Sequence, residues 1–295
     1  MCRLYGFFAT EPTKVECTLV HAQNALMVQS QSDSSGKSHA NGWGVATFEG
    51  EGPHIEKQAW AAFRGAHFQQ AAARIYSRQV LAHVRRATVG EPDIANTHPF
   101  KDGGWAFAHN GTIPNFEQLR PLLLAEIPTD RRGLIKGETD SEHMFQLVRA
   151  RQLAHPERPA FDCVRESVQW IVERSLEIDP EARIGLNIIM TDGNELIGTR
   201  LGRPLQFVER DGIHDCEICG FPHVHHNPRE NYRAIILASE PISHEHWREL
   251  PDESIYRIGS DCRIAWEAIK PRLKSGRRVN DHHEREDSAC SPPSH

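Results

Sequence analysis

The chain opens Met1-Cys2-Arg3-Leu4-Tyr5-Gly6-Phe7, and the cysteine directly behind the initiator methionine constrains the reading of everything that follows. A small second residue lets the methionine be trimmed, which leaves Cys2 with a free α-amine of pKa about 7.7–8.0, roughly half neutral near physiological pH. One residue then supplies both nucleophile and base. The thiolate is the attacking form, and a thiol of pKa about 8.5 needs a nearby proton acceptor. The plainer alternative is a small apolar residue starting a strand. What weighs against it is a series of polar motifs falling at the ends of strand-like apolar runs.

Residues 4–9 and 42–48 read as short strands, joined by a stretch that ends in a polar loop over 29–41, rich in Ser, Asp and Gly and a candidate flap. Residues 59–76 are alanine-rich and predict a helix; residues 79–85 alternate as a strand running into Arg85. The strand at 105–109 is expected to end at Asn110-Gly111, a turn pair, with Asn115 capping the short helix after it. Thr139 and Glu142 have capping-box spacing, and Met144, Phe145, Leu147 and Val148 continue a helix whose first turn holds Asp140. Cys163, Val164, Ser167, Val168, Ile171 and Val172 recur at helical spacing. Residues 183–190 and 196–201 flank Thr191-Asp192-Gly193-Asn194 as a hairpin, and 232–239 is a further strand. Strands grouped around helices predict an α+β layered fold.

The length of 295 residues is enough to bury a sizeable core, and a formal charge of −6 gives no field that would attract nucleic acid or an anionic membrane. No apolar run approaches the length of a bilayer span, and the start lacks the regions of a secretory signal. Seven cysteines, an odd number without regular spacing, suit a reducing cytoplasm. One domain is expected over 2–274, followed by a disordered tail over 275–295, charged and rich in Pro, Ser and His.

Gly42-Trp43-Gly44, His83-Val84-Arg85-Arg86-Ala87-Thr88, Asn96-Thr97-His98-Pro99-Phe100, His109-Asn110-Gly111 and Gly137-Glu138-Thr139-Asp140-Ser141-Glu142 follow Cys2 in order. With it, they resemble the class II glutamine amidotransferases, a family built on the N-terminal-nucleophile hydrolase fold. The resemblance implies a four-layer αββα sandwich of two antiparallel sheets between helical layers. It also implies a catalytic Cys2, an oxyanion hole from the Asn110 side chain and the Gly111 amide, and substrate binding by Arg85 and Asp140. Arg85 suits the α-carboxylate of a glutamyl group through its planar fork, and Asp140 suits the α-ammonium. A γ-glutamyl thioester would form on Cys2 and be hydrolysed to glutamate. Neither a cofactor nor a catalytic metal is called for. His98 and His109 invite a Cys/His dyad, but no third orienting group is evident at local spacing. Trp43 is expected to pack beneath the site. Arg86 stands where synthase-linked members carry tryptophan, which puts coupling to an acceptor in doubt.

The chain has no synthase domain and no phosphate-cradling glycine loop. The expectations for the released amine are therefore an amidotransferase feeding a separate synthetase subunit, or a stand-alone γ-glutamyl hydrolase of a glutathione-like or ergothioneine-pathway metabolite. A non-catalytic γ-glutamyl-binding protein is the reading of another class. Separately, Cys216-Glu217-Ile218-Cys219-Gly220 has the form of a zinc knuckle, which His223, His225 or His226 could complete; two cysteines in a reducing compartment equally need no metal.

Overall fold

Strand β1 (Arg3–Lys14) sets the layering, because its side chains alternate with the two-residue period of a pleated strand. Tyr5, Phe7 and Ala9 enter one apolar cluster, whereas Leu4 and Phe8 enter another on the opposite face. The computed structural model describes residues 2–50, 52–87, 90–224 and 231–269. The tail expected over 275–295 lies outside them, as do His225 and His226.

β1 is central in a sheet that also contains β2 (Trp43–Phe48), β3 (Pro53–Gln58), β4 (Tyr76–Val84), β9 (Gln206–Asp211), β10 (Arg233–Ala238) and β11 (Arg248–Glu249). A second sheet contains β5 (Phe100–Asp102), β6 (Trp105–Thr112), β7 (Gly185–Thr191), β8 (Leu196–Arg200), β12 (Ser254–Ile258) and β13 (Ile264–Ala268). Their orders are β11-β9-β10-β1-β4-β2-β3 and β13-β12-β8-β7-β6-β5. The ladders are antiparallel in both.

Between the sheets, Leu4, Phe8, Leu81 and Leu237 meet Ala106, Ala108, Ile189 and Tyr256. Gly6 keeps that contact close: a Cβ there would stand 2.9 Å from Ile189 Cδ1. On the outer face of the first sheet, Leu19 of the π-helical turn Cys17–His21, Leu26 of α1 (Leu26–Gln31) and Phe68 of α2 (His67–Arg74) cover Tyr5, Phe7 and Val80. Trp43 belongs to this cluster, fully buried and edge-on to Phe68 at 5.2 Å. On the outer face of the second sheet, α3 (Phe116–Glu126), α5 (Asp140–Ala154) and α6 (Ala160–Ile178) bury Phe107, Ile188 and Met190; the single turn α4 (Thr129–Arg132) links α3 to α5. The architecture is an α+β sandwich of two antiparallel sheets between helices, as the motifs implied.

Three local expectations are corrected. The helix over 59–76 shrinks to α2, because Gly65 takes a left-handed conformation before it and the chain has entered β4 by Tyr76. Ala61 and Ala62 are small for packing rather than for helix propensity, being buried in the turns ahead of α2. The strand through Trp105 does not stop at Asn110-Gly111 but runs to Thr112, since Asn110 and Gly111 pair with Asn187 and Leu186 of β7. Asn115 occupies the N-cap of α3 in a left-handed conformation, φ 53°, and its side chain makes no capping bond.

Candidate active site

Cys2 lies just ahead of β1, beside the end of β4. The register pairs Arg3 with Val84, so the cysteine falls next to Arg85-Arg86. The Arg86 amide donates to Cys2 Sγ at 3.4 Å, and the thiol faces the Arg86 carbonyl at 3.5 Å. Burial pushes the thiol above its ordinary pKa; the Arg86 hydrogen bond and the Arg85 guanidinium oppose that rise and the Asp140 carboxylate adds to it. A proton acceptor close to the sulfur is therefore needed to generate thiolate near neutrality.

Arg85 is buried at the strand end. Its amide donates to the Gly42 carbonyl at 2.7 Å and its carbonyl accepts from the Asn41 amide at 3.0 Å, while Asn41 Oδ1 accepts from the Ala87 amide at 3.0 Å. The guanidinium donates to the carbonyls of Gly90 and Glu91, both at 3.0 Å. Asn96 joins this loop to the start of α5: its Nδ2 donates to the Glu91 carbonyl at 3.1 Å and its Oδ1 accepts from the Glu138 amide at 2.8 Å. Thr139 caps α5, accepting from the Glu142 amide at 3.2 Å, as the capping-box spacing predicts. The Glu142 carboxylate reaches further back, to the amides of Lys136 and Gly137. Asp140 is thereby fixed in the first turn of α5, where the helix dipole favours a carboxylate. It accepts from the Ile113 amide and from the Ser141 amide, both at 2.8 Å. A carboxylate offers about four acceptor positions, so room for a further donor remains.

On β6, side-chain alternation separates two neighbours. Asn110 continues the face of Ala106 and Ala108 toward the first sheet, and His109 continues the face of Phe107 toward α5. Asn110 Nδ2 donates to Ser239 Oγ at 3.3 Å, and that same hydroxyl oxygen accepts from the Leu4 amide at 2.9 Å. The end of β10 thus couples Asn110 to the strand that carries Cys2. One of the two Nδ2 protons stays available beyond Ser239. Gly111 is required by close approach: a Cβ would lie 1.8 Å from the Gly185 carbonyl oxygen.

His109 has Nε2 2.9 Å from the Gly185 carbonyl and Nδ1 2.8 Å from Ser141 Oγ. A carbonyl only accepts, so Nε2 carries the proton and Nδ1 faces the hydroxyl. Burial pushes this ring below its ordinary pKa, and it is held as a neutral bridge between β6, β7 and α5. His98 is buried 4.2 Å from the His83 ring and 4.5 Å from Phe100, and burial depresses it strongly. Both histidines thus sit in structural settings rather than in a dyad with Cys2.

The polar loop over 29–41 overlaps α1 at its start, and the rest is tethered beside the nucleophile. Arg3 donates to the Cys2 carbonyl at 3.1 Å, to Asp33 at 2.7 Å and to Glu240. Asp33 Oδ1 accepts from the Ser35 amide and hydroxyl and from the Lys37 amide, and Oδ2 also accepts from His39 Nε2 at 3.0 Å. Burial alone would raise the Asp33 carboxyl, but these donors and the Arg3 charge hold it well below the usual carboxylate range. Burial pushes His39 down to about 4. Sequence reasoning missed Ser239, Asp33 and His39 in this setting. The strand ending at 239 and the Ser/Asp-rich loop were visible signals, but not their pairing with β1 and β6.

Among the described residues, Cys17, Cys216, Cys219 and His223 could hold a metal ion, at the far end of β1 from Cys2. No described helix is long and apolar enough to cross a membrane.

The model of the class II glutamine amidotransferases matches residues 1–277. A Saccharomyces cerevisiae protein described as a probable glutamine amidotransferase is 26% identical over 88% of this chain and 82% of its own. The gamma-glutamyl-hercynylcysteine sulfoxide hydrolase of Mycobacterium tuberculosis is 28% identical over 88% of this chain and 93% of its own. A glutamine aminotransferase class-II domain protein from Silicibacter pomeroyi superposes with a TM-score of 0.61 at 18% identity, over 90% of this chain and 99% of that one. The B. subtilis glutamine phosphoribosylpyrophosphate amidotransferase gives 0.60 at 17% identity, over 91% of this chain and 49% of that one. The last two share the fold.

Proposed function

This chain belongs to the class II glutamine amidotransferases, enzymes of the amidohydrolase type, and on that premise we propose that it cleaves the side-chain amide of a γ-glutamyl substrate with Cys2 as nucleophile, once Met1 is removed. The observation that carries this reading is the convergence at the start of β1. Arg86 brackets the Cys2 sulfur, the β1–β4 register sets Arg85 beside Cys2, and Asn110 is tied to the same strand through Ser239.

The α-amine of Cys2 takes the thiol proton, and the sulfur attacks the amide carbon of a glutamyl group held at its α-carboxylate by Arg85 and at its α-ammonium by Asp140. The oxyanion is received by the Asn110 amide and the Gly111 N–H. The protonated amine passes its proton to the leaving nitrogen, the C–N bond breaks, and a γ-glutamyl thioester remains. Water, deprotonated by the same amine, releases glutamate and restores the thiol.

Water as the acceptor, and hence a stand-alone γ-glutamyl hydrolase, is supported by the hydrolase relative whose own length is matched almost throughout. The yeast relative, described as a probable amidotransferase, favours the second reading, ammonia passed to a separate synthetase subunit. Cytoplasmic residence belongs to the same proposal, in keeping with seven irregularly spaced cysteines. Glutamate release from glutamine and from γ-glutamyl secondary amides, compared at equal concentration, separates the readings: hydrolysis predicts preference for a secondary amide, amidotransfer for glutamine. Cys2→Ala should lose turnover on both while melting like the parent; retained activity in that variant refutes the assignment.

A further inference from the structure

At the end of β1 remote from Cys2, two distant stretches of chain bring four metal-ligating side chains together. Cys17 begins the buried π-helical turn just after β1, and Cys216, Cys219 and His223 come from the segment between β9 and β10. One ligand atom from each lies within 4.8 Å of all the others, and Cys219 Sγ stands 3.2 Å from His223 Nε2. In a tetrahedral zinc site, bonds of about 2.3 Å to sulfur and about 2.0 Å to nitrogen separate neighbouring ligand atoms by roughly 3.5–3.8 Å, so closure requires contraction of no more than about 1 Å. We propose that Cys17, Cys216, Cys219 and His223 bind a structural zinc ion.

The backbone around the cluster is arranged for this. The Cys216 amide donates to the Phe221 carbonyl at 3.1 Å and the Gly220 amide to the Cys216 carbonyl at 2.8 Å, closing a tight turn in which Gly220 has φ 73°. The Ile218 amide points at Cys216 Sγ from 3.4 Å, a donor suited to a thiolate. The fourth ligand is set by β1 itself. The Lys14 amide donates to the His223 carbonyl at 3.0 Å, and Thr13 forms a β-bridge with Val224. That short ladder holds His223 in register with the chain that leads into Cys17.

A divalent ion bound here would take the sulfurs as thiolates and neutralise their charge. Three sulfurs and one imidazole fill a tetrahedron and leave no position for a reacting water, which makes the ion structural. The twelve residues of β1 separate it from Cys2 by roughly 35–40 Å at about 3.3 Å per residue. Its work is to cross-link the segment before β10 to the turn that leads into α1.

The test is the zinc content of the full-length protein, purified without chelator or added metal, together with its cobalt spectrum. One zinc per chain is expected, and its loss in Cys17→Ser. Cobalt exchanged into the parent should give thiolate-to-cobalt charge transfer and the strong d–d bands of a tetrahedral site, a readout that does not depend on a variant folding. H223A should lose the nitrogen ligand, whereas H225A and H226A keep the spectrum. Chelation should lower the melting temperature, with recovery on zinc addition, and leave glutamate release per folded molecule unchanged. Absence of bound zinc with the three cysteines free or joined by a disulfide would overturn the proposal, as would full zinc content in folded Cys17→Ser or a ligand set that includes His225 or His226 in place of His223.

Discussion

Replacing Asp33 with asparagine tests how the loop beside the nucleophile is held. The side chains of Asp33 and Arg3 are 1% and 8% exposed, so solvent screens their pair weakly. Asparagine has the same shape but one acceptor oxygen. If that oxygen serves the Ser35 and Lys37 donors, the new NH2 group faces Arg3 Nη2 and His39 Nε2, donor against donor. Breaking a buried ion pair by removing one partner costs about 3–5 kcal/mol. Arg3 keeps Glu240 and the Cys2 carbonyl, which places D33N near about 3 kcal/mol, at the low end of that range. For a chain of this size, about 2–3 °C per kcal/mol translates that into a melting temperature lower by about 6–9 °C. The assay is thermal unfolding by circular dichroism at matched scan rate, parent against D33N at pH 7. The Asp33 pKa is depressed on folding, so its contribution is complete above the unfolded value of about 3.9 and fades as pH falls through the folded one. The two proteins should therefore converge in stability in acid. A D33N protein melting within about 2 °C of the parent at pH 7 would refute the argument.

His39 is also depressed on folding, to about 4 from about 6.5, so parent stability should be complete above pH 6.5 and fall by up to about 3 kcal/mol as pH drops toward 4. Urea titrations across that range should show a flatter profile for H39Q. Under the proposed chemistry, Asn110→Ala should lower kcat about 10²–10³-fold in steady-state glutamate release, with KM little changed. Arg85→Lys retains the charge but not the fork, and should raise KM for a γ-glutamyl substrate about 10–100-fold, the equivalent of about 1.5–3 kcal/mol for a charge-assisted bond.

Much of this site was legible because its residues lie at strand ends and helix starts that periodicity locates well. Arg85 closes a strand, and Thr139 to Glu142 begin a helix; both are local patterns that tertiary structure left intact. Asn110-Gly111 was misread because its turn chemistry is real, yet pairing with β7 prevailed over local preference. The alanines near residue 60 were misread as helix for a similar reason: small side chains serve close packing as well as helix propensity. The partners Arg3 with Asp33, Asn110 with Ser239, and Cys17 with Cys216 depend on which strands lie side by side, and no spacing within a single segment encodes that.

The central claim is that Cys2 acts from a free N-terminus, and an intact mass of the purified protein before and after a glutamine-mimicking diazoketone, with the N-terminal peptide mapped, tests it most directly. The account predicts loss of Met1 and a single adduct on Cys2. Retained Met1 with no adduct on Cys2 would contradict it, since the thiol would then lack the adjacent amine on which the proposed chemistry depends.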